Sequence, residues 1–284
     1  MPISSYYYKS LFMITTNKKE SGVKMGNLKP GAQLFRISDR REVKFMVNGL
    51  LVVGSLNLPK HLNQGQTVPC LITFPGWKGD RKGRQKFELG VELINAGWAH
   101  LRLDPPAFGM SDGNPQLVTL GLYANTIRRA IRLLAQSQGV DPERIAVHGT
   151  SVGGSAAIMA AASDPRIKAL VLWAPRSDYH DTPPDLYKVI GGVNRRLRRS
   201  GLRYDFYRAA AKFGGPVLIV HGGSDTIVNP GQSKKLLSAF ASNRGVGDPL
   251  VTLRNYQEAG HRFQGFEARL IADTISCIKE LWHA

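Results

Sequence analysis

Cysteine is scarce in this chain: Cys70 and Cys277 are the only two in 284 residues. Both sit in apolar strand-like or helical contexts, so no disulfide framework is expected and a reducing compartment suits the protein. Long apolar runs are missing as well. None approaches the roughly 18 residues that a membrane span requires, which predicts a soluble body and no membrane-spanning segment. No internal repeat is present. Metal and cofactor signatures are also lacking, with no H-E-x-x-H, no paired C-x-x-C and no phosphate-binding glycine loop, so neither a metal nor an organic cofactor is expected. Acidic residues are few, 21 against 38 lysines and arginines, for a formal net charge of +17. A balance of that kind can serve nucleic acid or an anionic membrane. No nucleic-acid module accompanies it, and no specific nucleic-acid partner is expected. The charge concentrates in residues 1–41, 80–86 and 195–199. A solvated basic face is the ordinary reading of such runs, and attraction of an anionic substrate or partner is the alternative.

The first 25 residues are rich in Ser, Thr, Lys and Tyr, with a weak apolar patch at residues 11–14 and no acid before Glu20. They lack the arginine and amphipathic period of a transit peptide, and no small-residue cleavage site follows the patch. These residues are therefore expected to be a disordered leader, and residues 1–40 a leader and entry segment ahead of one α/β domain over residues 41–284 with a lid insertion at 176–213. A cytoplasmic location is the expectation, with organellar or peripheral-membrane association left open.

After the leader, apolar runs at residues 42–47 and 50–58 flank Asn48-Gly49, a hairpin signal. Strands are expected at residues 70–74, 98–103, 145–148, 169–173, 217–220 and 250–253. Helical spacing separates them at residues 84–96, 120–134, 152–162, 230–240 and 270–281. Alternation of short apolar strands with helices predicts an α/β fold, a mostly parallel eight-stranded sheet with helices on both faces. Residues 176–213 break the rhythm. This 38-residue interval carries nine basic and four acidic side chains, and so long a connection in a compact domain usually has a purpose. A small helical lid is expected there, with helices over residues 185–199 and 204–212.

Gly149-Thr150-Ser151-Val152-Gly153 stands where a strand-like run passes into an alanine-rich helical run. Ser151 would then occupy a sharp strand-to-helix turn, where bulky side chains two positions either side would clash. The new helix would aim its first N–H groups, that of Val152 foremost, at negative charge developing on a reacting oxygen. A serine hydroxyl needs a general base and an acid to orient it. Asp225 lies just past the strand at residues 217–220 and His261 just past the last strand. His100, His148 and His221 fall in or at the ends of strands, where structural hydrogen bonding is the simpler role. His61, His180 and His283 fall in loop, lid or tail. Asp104 and Asp112 read as loop braces. Trp77 and Trp173 suit either an acyl pocket or the core.

The order Ser151, Asp225, His261, each beyond a strand end, resembles that of the α/β-hydrolases. Over roughly residues 40–284 the chain is similar to the serine esterases and serine aminopeptidase-like hydrolases of that superfamily. The resemblance implies an α/β-hydrolase fold with Ser151 as nucleophile, His261 as general base and acid, and Asp225 as orienting carboxylate. Phe74-Pro75-Gly76-Trp77 matches the family's first oxyanion loop, which implies that the amide of Trp77 joins that of Val152; Pro75 stands where a histidine is usual. Residues 104–113 resemble the family's Asp-x-x-G-x-G-x-S loop, altered at Ala107 and Phe108. The implied activity is hydrolysis of a small-molecule carboxylic ester, including anionic ones, through an acyl-enzyme. Exopeptidase or amidase action, acyl transfer to an alcohol, and a ligand-binding or receptor role on the same fold are the alternatives. The oligomeric state is not legible.

Overall fold

The computed structural model describes residues 15–16, 29–181, 195–242 and 250–280. Nine strands form one sheet: β1 (Thr15–Thr16), β2 (Ser38–Val47), β3 (Leu50–Pro59), β4 (Val68–Phe74), β5 (Ala99–Leu103), β6 (Val140–Thr150), β7 (Ile167–Trp173), β8 (Val217–Gly222) and β9 (Val251–Tyr256), in the order β1-β2-β3-β5-β4-β6-β7-β8-β9. The eight strands β2–β9 are the expected sheet, and two-residue β1 extends its antiparallel edge. Asn48 and Gly49 take φ of 49° and 80°, the primed-turn conformation that joins β2 to β3. From β5 to β9 every pairing is parallel.

Adjacent strand residues face opposite sides, and both sides are apolar. Ile72, Val147, Leu170 and Ile219 belong to one core cluster, while Leu71, Ala146, Val171 and Leu218 belong to the other. Helices α3 (Leu120–Leu134), α4 (Val152–Ala161), α6 (Phe206–Ala211) and α7 (Gly231–Ala241) cover the first face. Helices α2 (Arg84–Asn95) and α8 (Glu267–Glu280) cover the second. The chain leaves β4 for β5 on one side and returns to β6 on the other. Such a reversal opens a crevice beyond the strands' carboxyl ends, here beside Phe74 and Thr150.

Two stretches differ in detail from the expected element boundaries. In the entry segment Pro30–Ile37 is helix α1, where no helix is expected, and β2 begins at Ser38, four residues before the expected strand. An eight-residue helix has little stability alone. This one is held by tertiary contact, with Leu34 completely buried and Phe35 edge-on to Phe87 of α2 at 6.2 Å. In the interval 176–213, α5 spans Arg195–Leu202 and α6 is shorter than expected. The helix expected from residue 185 falls largely outside the described residues. Among the described residues no helix is long and apolar enough to cross a membrane.

Candidate active site

β6 runs straight into α4, with Ser151 between them at φ 55°, ψ −118°. A left-handed serine is strained, and its surroundings hold it in place. Its N–H donates to the Trp173 carbonyl at 2.9 Å, while its own carbonyl accepts from Gly154 at 2.9 Å and Arg176 at 3.1 Å. The flanking glycines have a steric cause. A Cβ on Gly149 would lie 2.5 Å from the Gly153 carbonyl oxygen, and one on Gly153 would collide with the Phe74 carbonyl oxygen. The loop after β4 passes against the same serine, since a Cβ on Gly76 would come within 3.2 Å of Ser151 Cβ. The backbone N–H groups of Trp77 in that loop and Val152 at the start of α4 donate to no other group among the described residues. Lys78, next to Trp77, is a further left-handed residue at φ 60°.

Asp225 follows β8, and only 6% of it is exposed. Its Oδ1 accepts from the backbone N–H groups of Ile227 at 2.8 Å and Val228 at 2.9 Å. Oδ2 lies 2.7 Å from His261 Nδ1 and 3.1 Å from His221 Nε2. Burial alone would raise its pKa, but the hydrogen bonds from His221, His261 and Val228, with the His261 charge, hold it well below the usual carboxylate range. Because a carboxylate only accepts, His261 carries its proton on Nδ1, which leaves Nε2 as the basic lone pair of the neutral ring. Ser151 and His261 line one cleft of 940 Å³. No hydrogen bond joins them directly among the described residues, and such contacts often tighten only on ligand binding.

His221 does more than stand near the Asp225 loop. Its Nε2 also lies 3.0 Å from the Val228 carbonyl, and Nδ1 lies 2.6 Å from Ser233 Oγ. Both Nε2 partners are acceptors, so His221 donates from Nε2 and is fixed in that tautomer by Ser233. Asp104 is an ion-pair partner of buried Arg81 and accepts from the backbone N–H groups of Arg81 at 2.8 Å and Met110 at 2.9 Å. Asp112 accepts from the Leu51 N–H at 3.1 Å, so both acids brace loops. His100, Thr73, His148 and Thr150 form a polar chain across β5, β4 and β6, with contacts of 2.8, 3.3 and 3.3 Å. Burial drives the pKa of His148 down to about 3, helped by the Lys86 charge, and that of His100 well below its ordinary value. His61 and His180 are exposed, and His283 lies outside the described residues.

Trp77 and Trp173 both line the cleft. Burial pushes the thiols of Cys70 and Cys277 up to about 12 and about 11, which leaves them protonated and poor nucleophiles. No cluster among the described residues could hold a metal ion. The basic run at residues 195–199 does not line the cleft. Its cations are instead Lys78, Arg84, Lys86, Arg176 and Arg262, with Glu267 the one acid among the described lining residues. Part of the basic concentration at residues 80–86 thus lies at the site, a placement that its sequence pattern does not reveal.

Strand order, the crossover beside Ser151 and the strand-turn-helix that carries it define an α/β-hydrolase. Est1E from Butyrivibrio proteoclasticus, solved with ferulic acid bound, has this fold: TM-score 0.70 and 21% identity, covering 84% of this chain and 98% of that one. The model of the prolyl oligopeptidase family matches residues 125–278, more than half of the sequence, and the chain belongs to that family. An uncharacterised protein of Mycobacterium tuberculosis is 34% identical over 178 residues, 62% of this chain and 59% of that protein. A thiohydrolase of Arthrinium phaeospermum is 40% identical over 108 residues, 38% of this chain and 35% of that enzyme. The chain thus spans about three-fifths of the first relative and about a third of the second.

Proposed function

We propose that the protein is a serine hydrolase that cleaves a small-molecule carboxylic ester by acyl transfer to water. Ser151 Oγ attacks the ester carbonyl carbon as His261 Nε2 takes its proton. The tetrahedral oxyanion is held by the N–H groups of Trp77 and Val152, and Asp225 keeps His261 in the Nδ1–H tautomer and stabilises the ring when it becomes cationic. Collapse breaks the bond to the alcohol, which leaves with the proton from His261. Water then attacks the acyl-enzyme, gives a proton to His261, and releases the acid as Ser151 regains it. The observation that carries this reading is the left-handed Ser151 at the head of a buried helix, in one cleft with the hydrogen-bonded His261–Asp225 pair.

A fluorophosphonate probe tests it. The wild-type protein is expected to be labelled and Ser151→Ala not. A folded wild-type protein that resists labelling would instead favour a ligand-binding or receptor role. Membership of the prolyl oligopeptidase family favours a second reading, cleavage of a peptide or amide by the same residues. The kcat/KM values for p-nitrophenyl esters against aminoacyl anilides separate the two, with esters expected to lead. Release of a mixed ester when an alcohol is added would mark an acyltransferase. The interval 176–213, which supplies Arg176 and Tyr179 to the cleft, is the segment we assign as a substrate-selecting lid.

A further inference from the structure

Among the described residues, the charged side chains that line the cleft wall are five cations and one acid, Glu267. Lys78, Lys86 and Arg262 make no ion pair among the described residues, whereas Arg84 is committed to Glu88 at 2.7 Å and Arg176 donates to the Ile227 carbonyl at 2.9 Å. Three acids lie nearby, and none is in an ion pair with Lys78, Lys86 or Arg262 among the described residues: Glu267 lines the cleft and acts on Arg84. Asp104 serves Arg81, and Asp80 accepts from the Lys82 N–H at 2.7 Å. Lys86 Nζ lies beside Gly83, where an added Cβ would meet it at 2.7 Å, so the ammonium folds back over the start of α2. That first turn contains no acid and no side-chain cap. A cation at the positive end of a helix inverts the usual preference and is unfavourable unless an anion joins it. Burial, with the Arg102 charge, lowers the Lys86 pKa against the pull of Asp80 and Asp104. Gln85 Nε2 donates to the Arg262 carbonyl at 3.0 Å and ties this turn to the His261–Arg262 loop. Trp77 Nε1, buried without a partner among the described residues, belongs to the same wall.

We infer that this wall is a subsite for a carboxylate of the substrate, anchored by Lys86 with Lys78 and Arg262, so that the preferred esters are anionic. The inference rests on the serine-hydrolase reading and places the anion attraction expected of the basic runs at α2 and two loops, not at residues 195–199. Lys86 neutralises the carboxylate at the helix end, Arg262 offers it a planar fork, and Lys78 holds charge beside the Trp77 amide.

The test compares p-nitrophenyl butyrate with its carboxylate-bearing analogue p-nitrophenyl hemiglutarate, and phenyl butyrate with 4-carboxyphenyl butyrate. The two pairs place the carboxylate on the acyl or the alcohol side. In one pair the anionic ester is expected to have a kcat/KM about tenfold higher at low salt, the ratio shrinking at 0.5 M NaCl. Lys86→Gln should lower that ratio about tenfold and Lys86→Arg should restore most of it, with thermal melting confirming the fold. Ratios near one in both pairs, or a ratio that survives Lys86→Gln, Lys78→Gln and Arg262→Gln, would overturn the subsite. If no ester turns over, the hydrolase reading fails separately. Calorimetric titration of glutarate into Ser151→Ala then decides the subsite: saturable binding weakened by Lys86→Gln supports it, and no binding sinks it.

Discussion

Asp225 accepts two backbone N–H bonds through Oδ1 and faces two imidazoles through Oδ2. Changing it to asparagine preserves size and, with the amide oxygen in the Oδ1 position, keeps the loop bonds. The amide nitrogen then faces His261, which must accept through Nδ1 and carry its proton on Nε2. A ring in that tautomer cannot take a proton from Ser151. Asp225→Asn is therefore expected to lower kcat/KM for a p-nitrophenyl ester about 10³–10⁴-fold while the protein stays folded. Near-normal turnover would remove Asp225 from its assigned role. That Ser151, Asp225 and His261 share one edge of the sheet was readable because Ser151 directly follows an apolar strand, the other two stand a short loop beyond theirs, and the strands are parallel. His221 was only half readable. Its place at a strand end was plain, but its shared hold on Asp225 depends on Val228 and Ser233, which no spacing rule connects. Lys86 was hidden for a different reason, since a lysine in a basic run looks solvated until the fold sets it against a cleft.

At the scale of elements, α1 shows where local pattern ends. Its eight residues follow a polar segment and carry one fully buried side chain, Leu34, so nothing local distinguishes it from the leader. The stabilising surface lies about 55 residues away in α2, where Gly90 leaves room for Leu34: a Cβ there would come within 2.9 Å of it. β5 was readable as a strand, but its Arg102 was not readable as buried. That side chain lies over the Phe87 ring at 4.2 Å and donates to Asn57 and the Arg81 carbonyl at 2.9 and 3.1 Å. Leu34→Ala should leave a cavity between α1 and α2 and cost about 2–4 kcal/mol, read as a lower urea midpoint with unchanged slope. A loss below about 0.5 kcal/mol would mean that α1 does not dock as described. Gly153→Ala tests the turn itself. Its Cβ would strike the Phe74 carbonyl, so Ser151 must shift, and fluorophosphonate labelling is expected to fall at least tenfold.

For the molecule as a whole, the titration of buried groups bounds the pH range of stability. His148 has a pKa of about 3 when folded against an ordinary 6.5, so between those values the unfolded chain binds more protons. Its contribution is complete above about pH 6.5 and is lost as pH falls toward 3. His100 shifts in the same direction. Asp225, held below the usual carboxylate range, adds a loss that begins as pH falls below about 4. On the alkaline side Cys70, pushed from 9.0 up to about 12, contributes fully below pH 9 and less as pH rises beyond it. The expected plateau of stability therefore runs from about pH 6.5 to 9. At pH 5, one and a half units below the ordinary histidine value, His148 alone should cost on the order of 2 kcal/mol. Urea unfolding at pH 5.0 and 7.5 measures the loss, and His148→Gln separates this residue from the general repulsion of a chain carrying +17. The variant starts less stable at pH 7.5, because Thr73 and Thr150 lose an imidazole partner. From there to pH 5.0 it should lose about 2 kcal/mol less than the wild type does. Equal losses in the two proteins would show that His148 titrates normally and that acid lability comes from elsewhere in the chain.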